Sequence, residues 1–169
     1  DTFDRSAAKV IDCPFTGQKI ATLPACSPDV VAVHVHEADK FGNARIRGIT
    51  VADPELVRAS KRVIVTAERF IDTEEIRDQP EGTSIPFYLV DAVVHSPYGS
   101  YPGNMPYEYF SDEDHLAEWL KAEKDPEGFA AFLDKYIYGV SDFREYLELC
   151  GGETRLSQLR AEETLQNGG

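Results

Sequence analysis

The sequence predicts an α/β protein, a mostly parallel sheet sandwiched by helices and followed by a helical C-terminal extension. Three observations lead there. Three apolar runs rich in β-branched residues, at 30–36, 62–66 and 87–94, lack the alternation of a strand with one wet face, so each reads as a strand buried on both sides. Helix-opening signals, Asp53-Pro54-Glu55 and Thr73-Glu74-Glu75, fall between the runs, and this order implies right-handed crossovers between parallel neighbours. Beyond His95 the aliphatic runs stop and apolar residues recur at helical spacing.

The elements follow in order. Lys9-Val10-Ile11-Asp12 and Lys19-Ile20-Ala21-Thr22-Leu23 read as paired strands joined through the turn Pro14-Phe15-Thr16-Gly17. The first central strand at 30–36 turns at Gly42-Asn43 into a short strand at 44–49. Asp53 is the expected N-cap of a helix with Pro54 at its first position, Leu56 and Val57 facing inward and an end near Lys61. The strand at 62–66 is followed by a short helix from Thr73, a loop at 80–86 and the strand at 87–94. Residues 96–109 hold three prolines, two glycines and four tyrosines, too many breakers for a regular element. Ser111-Asp112-Glu113-Asp114 caps a helix carrying Leu116, Trp119 and Leu120. Asp125-Pro126 opens the clearest amphipathic helix, with Phe129, Phe132, Leu133, Tyr136 and Ile137 on one face and an end at Gly139. Ser141-Asp142 starts a short helix with Phe143, Tyr146 and Leu147. Gly151-Gly152 divides an α/β domain over 1–152 from a tail over 153–169, partly helical or disordered and fading at Asn167-Gly168-Gly169.

At 169 residues the chain suits one domain with a sizeable core. A net charge of -13 argues against nucleic acid or an anionic membrane surface as partner, while leaving room for a small anionic ligand in a local positive pocket. The acidic excess lies mainly in 111–169, with 14 acids against 6 bases, as on a solvated helical face. No apolar run reaches the roughly 18 residues of a membrane span, and the first residues lack signal-peptide order. The chain starts without Met and is expected to be part of a longer polypeptide. Three widely spaced cysteines, Cys13, Cys26 and Cys150, fit a reducing, cytoplasmic setting better than a disulfide framework, and no CxxC pair supports structural zinc. Neither a nucleophile elbow nor a Gly-x-Gly-x-x-Gly segment is present.

The stretch His34-Val35-His36-Glu37, with Asp39 behind it, poses the sharpest chemical question. Strand alternation puts both histidines on one face, where two metal ligands are possible, but a third must come from elsewhere. A satisfied polar pair at a strand end is the competing reading. Asp39 to Asn43 suits a turn, with Gly42 supplying the unusual backbone angle. Glu68 follows the second central strand, where open α/β sheets bind ligands, so it is a candidate nucleophile, hydrogen-bonding group or plain strand-end acid.

Several stretches share one pattern in order and spacing. They are Cys13-Pro14-Phe15-Thr16-Gly17 with Pro24-Ala25, Pro28-Asp29-Val30 leading to His34, Ala38-Asp39 with Gly42-Asn43, Ala59-Ser60-Lys61-Arg62-Val63-Ile64-Val65, Ile85-Pro86 leading to Val90-Asp91-Ala92-Val93-Val94, Pro97-Tyr98-Gly99-Ser100-Tyr101-Pro102, Tyr138-Gly139-Val140 and Tyr146-Leu147. Over about 9–150 the chain resembles the second half of the A-type subunit of the two-subunit family I CoA-transferases, the glutaconate CoA-transferase type. The Gly-Gly-Phe segment that such subunits carry near their start is not among these residues.

The resemblance implies transfer of CoA between an acyl-CoA and a small carboxylic acid, by covalent ping-pong catalysis on a glutamate of the partner, B-type subunit. It therefore implies no catalytic residue and no metal in this chain, no covalently bound cofactor, and coenzyme A entering as the acyl-CoA substrate. The implied partners are the N-terminal half of the A-type subunit, and the B-type subunit. Substrate contact is expected from the 96–105 loop, at Tyr98, Gly99, Ser100 and Tyr101, where glycine lets backbone approach a ligand. The family pattern has a His where Tyr101 stands and more often a Gln where His36 stands, so those roles do not carry over. Two alternatives share the scaffold: hydrolysis of a CoA ester or an activated ring ketone, and a non-catalytic structural half.

Overall fold

In the computed structural model, which describes residues 5–166, the chain opens with an antiparallel hairpin of β1 (Lys9–Asp12) and β2 (Lys19–Thr22). The Cys13 amide donates to the Gln18 carbonyl and closes the turn. Val10, Ile11, Ile20 and Leu23 remain exposed, so the ladder and turn rather than packing hold this unit.

The centre follows. β3 (Val31–Ala38) turns into the two-residue antiparallel strand β4 (Ala44–Arg45), then comes helix α1 (Asp53–Ala59) and strand β5 (Val63–Phe70). α2 (Thr73–Asp78) and two single 3-10 turns lead to β6 (Ala92–His95). The sheet order is β4-β3-β5-β6. β3 and β5 run parallel from Val31 opposite Val63 to Ala38 opposite Phe70, and β6 runs parallel to β5. The α/β architecture with a mainly parallel sheet is thus as the apolar runs predict. Val33, Val35, Val57, Val63, Val65 and Ile85 form its aliphatic core.

Two expected strands are shorter than their apolar runs. The 44–49 strand stops at Arg45 because the Ile46 amide donates to Ser84 Oγ at 3.0 Å and the Arg47 amide to His36 Nδ1 at 3.0 Å. Side chains there take the donors that a ladder would use. In the 87–94 run, Phe87–Leu89 is a 3-10 turn, and Leu89 and Val90 pack on the core from outside the sheet. Asp91 then accepts the Val63 amide at 2.9 Å and pairs with Arg62, and pairing as β6 begins only at Ala92. α1 starts one residue before expectation, with Ala52 in the cap position, Val57 buried and Leu56 half-buried.

The helical end comprises α3 (Glu113–Ala122), α4 (Pro126–Leu133), α5 (Phe143–Leu149) and α6 (Gly152–Gln166). Asp112, Asp125 and Asp142 each accept an amide in the first turn of the helix they cap. α4 continues through a π-helical turn, Asp134–Tyr138, to Gly139. Gly151, at φ 109°, reverses the chain into α6, whose Leu156 and Leu159 join Tyr101, Met105 and Tyr109 in a second core. The expected fading at Asn167-Gly168-Gly169 lies outside the described residues.

Candidate functional site

The C-terminal ends of the parallel strands converge on Glu68. Alternation along β3 and β5 points His34, Thr66 and Glu68 to one face, and the parallel register sets His34 beside Thr66. His34 Nε2 lies 2.7 Å from Glu68 Oε1, and its Nδ1 lies 2.8 Å from Thr66 Oγ1. The Tyr109 hydroxyl also donates to Glu68 Oε1, at 2.6 Å, and the Tyr98 amide donates to Oε2 at 2.7 Å. Burial first, and then the neighbouring Glu68, push the Tyr109 hydroxyl above its ordinary pKa, so it remains a donor. Glu68 is 7% exposed and has three donors aimed at it. It is an acceptor that ties the 98–109 loop to the sheet.

His36 lies at the same strand end. Its Nε2 donates to the Pro106 carbonyl at 2.7 Å, and its Nδ1 accepts from the Arg47 amide. Burial lowers its pKa and favours this neutral form. All four ring nitrogens of His34 and His36 are engaged by protein groups. Among the described residues no cluster of three or more His, Cys, Asp or Glu is placed to hold a metal ion. The two rings form a hydrogen-bonded polar pair. Asp39 forms the expected turn, its Oδ1 accepting the Phe41 and Asn43 amides, each at 3.0 Å. Gly42 has φ 98°, and a Cβ there would lie 2.8 Å from Val90 Cβ, so the turn requires glycine.

Glu37, on the opposite face of β3, is drawn into an arginine network. Arg47 reaches it at 2.5 Å and Arg69 at 3.3 Å, while Arg69 also makes two 2.8 Å bonds to Glu108. Burial opposes ionisation of Glu37, but Arg69, Arg47 and Arg45 outweigh it and hold the carboxyl below its usual range.

The four loop residues singled out from the sequence are brought together beside this cluster. Gly99 is exposed and packs so closely that a Cβ would fall 2.5 Å from His34 Cε1. Tyr98 stacks at a tilt against Tyr109, with centroids 5.2 Å apart. Tyr101 turns inward, 6% exposed, and donates to Asp112 Oδ2 at 2.7 Å. The backbone amides of all four are taken: Tyr98 by Glu68, Gly99 by the Ser96 carbonyl, Ser100 by the Tyr109 hydroxyl and Tyr101 by the Tyr98 carbonyl. These four residues therefore offer shape, a glycine surface and a tyrosine ring, with their own amides already paired.

Behind the loop, Arg155 of α6 grips Asp112 through Nη2 at 2.6 Å and Nε at 3.1 Å. Burial opposes ionisation of Asp112, but Arg155, the Tyr101 hydroxyl and the His115 amide outweigh it and draw its pKa to about 2. A cleft of about 740 Å³ opens just beyond the C-terminal ends of β3 and β5, lined by Lys40, Phe41, Phe70, Ile71, Thr73 and Arg77 among others. Sequence reasoning did not find Thr66, Tyr109, Arg155 or Glu163. Only Thr66 left a signal, two residues before Glu68 on the same strand face.

Fold and site together define an α/β protein that carries a fully bonded polar cluster where its parallel strands end, roofed by an aromatic loop. A family model described as coenzyme A transferase matches residues 11–96, and the chain belongs to that family. It is 38% identical to the A-type subunit of glutaconate CoA-transferase from Acidaminococcus fermentans, over 90% of this chain and 48% of that one. The crystal structure of that enzyme superposes with a TM-score of 0.85, again over 90% of this chain and 48% of that one. The chain is 36% identical to the A-type subunit of 3-oxoadipate CoA-transferase from Pseudomonas knackmussii, over 82% of this chain and 48% of that protein. An uncharacterised protein of Archaeoglobus fulgidus is 52% identical over 98% of this chain and 37% of its own length. The chain thus spans half or less of the length of these relatives.

Proposed function

We propose that this chain is part of an A-type subunit of an enzyme that transfers CoA between an acyl-CoA and a small carboxylic acid. The observation that carries the reading is the match to glutaconate CoA-transferase, at 38% identity and a TM-score of 0.85 over nine-tenths of the chain. The local geometry supports it in one further respect. Glu68, a buried carboxylate bonded to the expected substrate loop, has its oxygens committed to His34, Tyr109 and Tyr98. The acylated glutamate is then a residue of the B-type subunit.

That glutamate attacks the thioester carbonyl, forming an anhydride and expelling CoA thiolate. The thiolate attacks the glutamyl carbonyl, releasing the first acid and leaving an enzyme thioester, and the second acid reverses the sequence. Both steps pass through oxyanions that need preorganised donors. The paired amides of residues 98–101 leave that task to other parts of the assembly. In this reading Gly99 and the Tyr98 ring form a wall of the acid pocket, and the rigid His34–Glu68–Tyr109 cluster fixes that wall. No cofactor beyond the CoA ester takes part. The remaining half of the A-type subunit joins this chain and the B-type partner in the cytoplasm. No helix among the described residues is long and apolar enough to cross a membrane.

The test uses the complete A-type subunit in complex with its B-type partner, an acyl-CoA and a range of mono- and dicarboxylates. The expected result is acceptor-dependent CoA exchange, with hydroxylamine or borohydride trapping a glutamate of the B-type partner. A trapped Glu68, or no exchange with any acid, would sink the proposal. Release of acid and free CoA without an acceptor would favour hydrolysis instead.

A further inference from the structure

The family match ends at residue 96, yet the stretch that follows is tightly constrained. Among the described residues only two non-glycines adopt left-handed backbone angles, Tyr98 at φ 60° and Tyr107 at φ 66°. Bulky side chains occupy that region only where the surroundings over-determine it. Here the surroundings are two buried carboxylates placed in the same way. Glu68 of β5 accepts the Tyr98 amide at 2.7 Å, and Glu163 of α6 accepts the Tyr107 amide at 2.6 Å. The loop is pinned from the sheet at one end and from the last helix at the other.

α6 makes further contacts of the same kind. The Phe110 amide donates to the Leu159 carbonyl at 3.0 Å. Arg155 holds Asp112, which accepts the Tyr101 hydroxyl, and the Asp112 amide donates to the Pro102 carbonyl. The Arg160 guanidinium lies 5.6 Å from the Tyr98 ring centroid. Leu156 and Leu159 dock the helix by apolar burial. A carboxylate as buried as Glu163, 7% exposed, is a poor choice for stability alone, because its desolvation offsets much of what its bonds return. Its value lies in geometry: it receives the amide of a residue held in a strained conformation.

We propose that α6 belongs to the active-site scaffold, with Glu163 and Arg155 as positioning residues that set the 98–109 loop against Glu68. The active-site role rests on the reading that the loop walls the acid pocket. The pinning of the loop by α6 does not.

The experiment uses the complete A-type subunit in complex with its B-type partner. Amide hydrogen exchange is read across 97–110 and across β3 and β5, and kcat and KM are measured for CoA exchange. Glu163→Ala should speed exchange of the loop amides by about tenfold or more and leave the sheet unchanged. Glu163→Gln keeps an acceptor oxygen and should restore most of the protection. In activity, Glu163→Ala should lower kcat about tenfold while the acyl-CoA KM moves less than about threefold, with recovery in Glu163→Gln. Tyr107→Gly accepts the positive φ without strain, so in that background the loop effect of Glu163→Ala should shrink. Arg155→Lys loses the forked grip on Asp112 and should expose the Tyr101 and Asp112 amides in the same manner.

Unchanged loop exchange in Glu163→Ala, equal loosening of loop and sheet, or an undiminished effect in the Tyr107→Gly background would each overturn the proposal. If the loop loosens but kcat does not fall, the active-site role is overturned. Exchange is read without turnover, so failure of the transferase reading would show separately, as wild-type protein that protects the loop but transfers no CoA.

Discussion

The described residues form two cores built on different principles. Under the sheet, Val33, Val35, Val57, Val63, Val65 and Ile85 pack without a polar atom among their side chains. Under the loop, Tyr101, Met105 and Tyr109 pack with Leu156 and Leu159, and both tyrosines hand their hydroxyls to buried carboxylates, Asp112 and Glu68. The first core is specified by area and shape, which are non-directional, so a near-isosteric residue fits with little change. The second is specified by donors and acceptors that must all be matched, so removing one strands the rest. The sheet core secures the fold and the tyrosine core fixes the position of one loop.

The sharpest way to break this comparison is to delete an acceptor on one side and methyl groups on the other. Glu68→Ala leaves the His34 ring, the Tyr109 hydroxyl and the Tyr98 amide without their partner. At roughly 1–3 kcal/mol for each stranded buried group, the expected loss is about 3 kcal/mol or more. Val65→Ala removes two methyl groups from a fully buried site. The expected loss there is about 2 kcal/mol, from transfer and cavity contributions together. Urea denaturation midpoints measure both. Near-ultraviolet circular dichroism of the tyrosines separates them, because only Glu68→Ala should disturb the loop beyond its loss of stability. Equal tyrosine signals in the two variants would erase the distinction between the cores.

The two regions also differ in how far the sequence discloses them. β3 and the first half of β5 are legible because a central parallel strand leaves an unbroken valine-rich run, but β5 continues beyond residue 66 to Phe70, where the polar Glu68 and Arg69 hide it. The caps at Asp112, Asp125 and Asp142 are legible because a cap acts within three residues of itself. The run at 87–94 misleads for a physical reason. Leu89 and Val90 are apolar because they cover the core, not because they pair, and the Asp91 carboxylate takes the Val63 amide before β6 begins. The cluster at Glu68 is half legible. Strand-end position singles out Glu68 and the breaker-rich loop is obvious, but the bonds to Tyr109, 41 residues away, and between Glu163 and Tyr107, 56 residues apart, leave no local pattern. Long-range hydrogen bonds use residue types that are equally at home on a surface, so nothing in either neighbourhood hints at the pairing.

Acid offers a way to loosen the tyrosine core without mutation. The folded state holds the Asp112 pKa at about 2, below its ordinary value of 3.8. A depressed carboxyl pKa contributes stability above the unfolded-state value that is lost as pH falls through the folded-state value. The window is therefore from about pH 4 down to about pH 2, and the share belonging to Asp112 is about 2 kcal/mol. Comparing melting temperatures of wild type and Asp112→Asn across this window isolates it from the other carboxylates. Wild type should lose its advantage as the pH falls. A constant difference between the two proteins would mean that the charge on Asp112 adds nothing to folding.

The smallest effect is expected where the two cores meet, at His36. This side chain is 1% exposed and bridges the Pro106 carbonyl of the loop and the Arg47 amide beyond β4. It needs one donor and one acceptor about as far apart as the nitrogens of a ring, and a glutamine amide supplies the same pair. His36→Gln should change stability at neutral pH by less than about 1 kcal/mol. The difference should appear on acidification. Burial lowers the folded-state pKa of His36, so the stability it contributes is present above the unfolded-state pKa of about 6.5 and declines below it. Glutamine has no such titration. The melting temperature of His36→Gln should therefore fall less steeply than that of wild type as the pH drops below about 6.5. Parallel slopes would mean that His36 takes up its proton as readily in the folded protein as in the unfolded chain, and that the junction between sheet and loop tolerates a charge its geometry argues against.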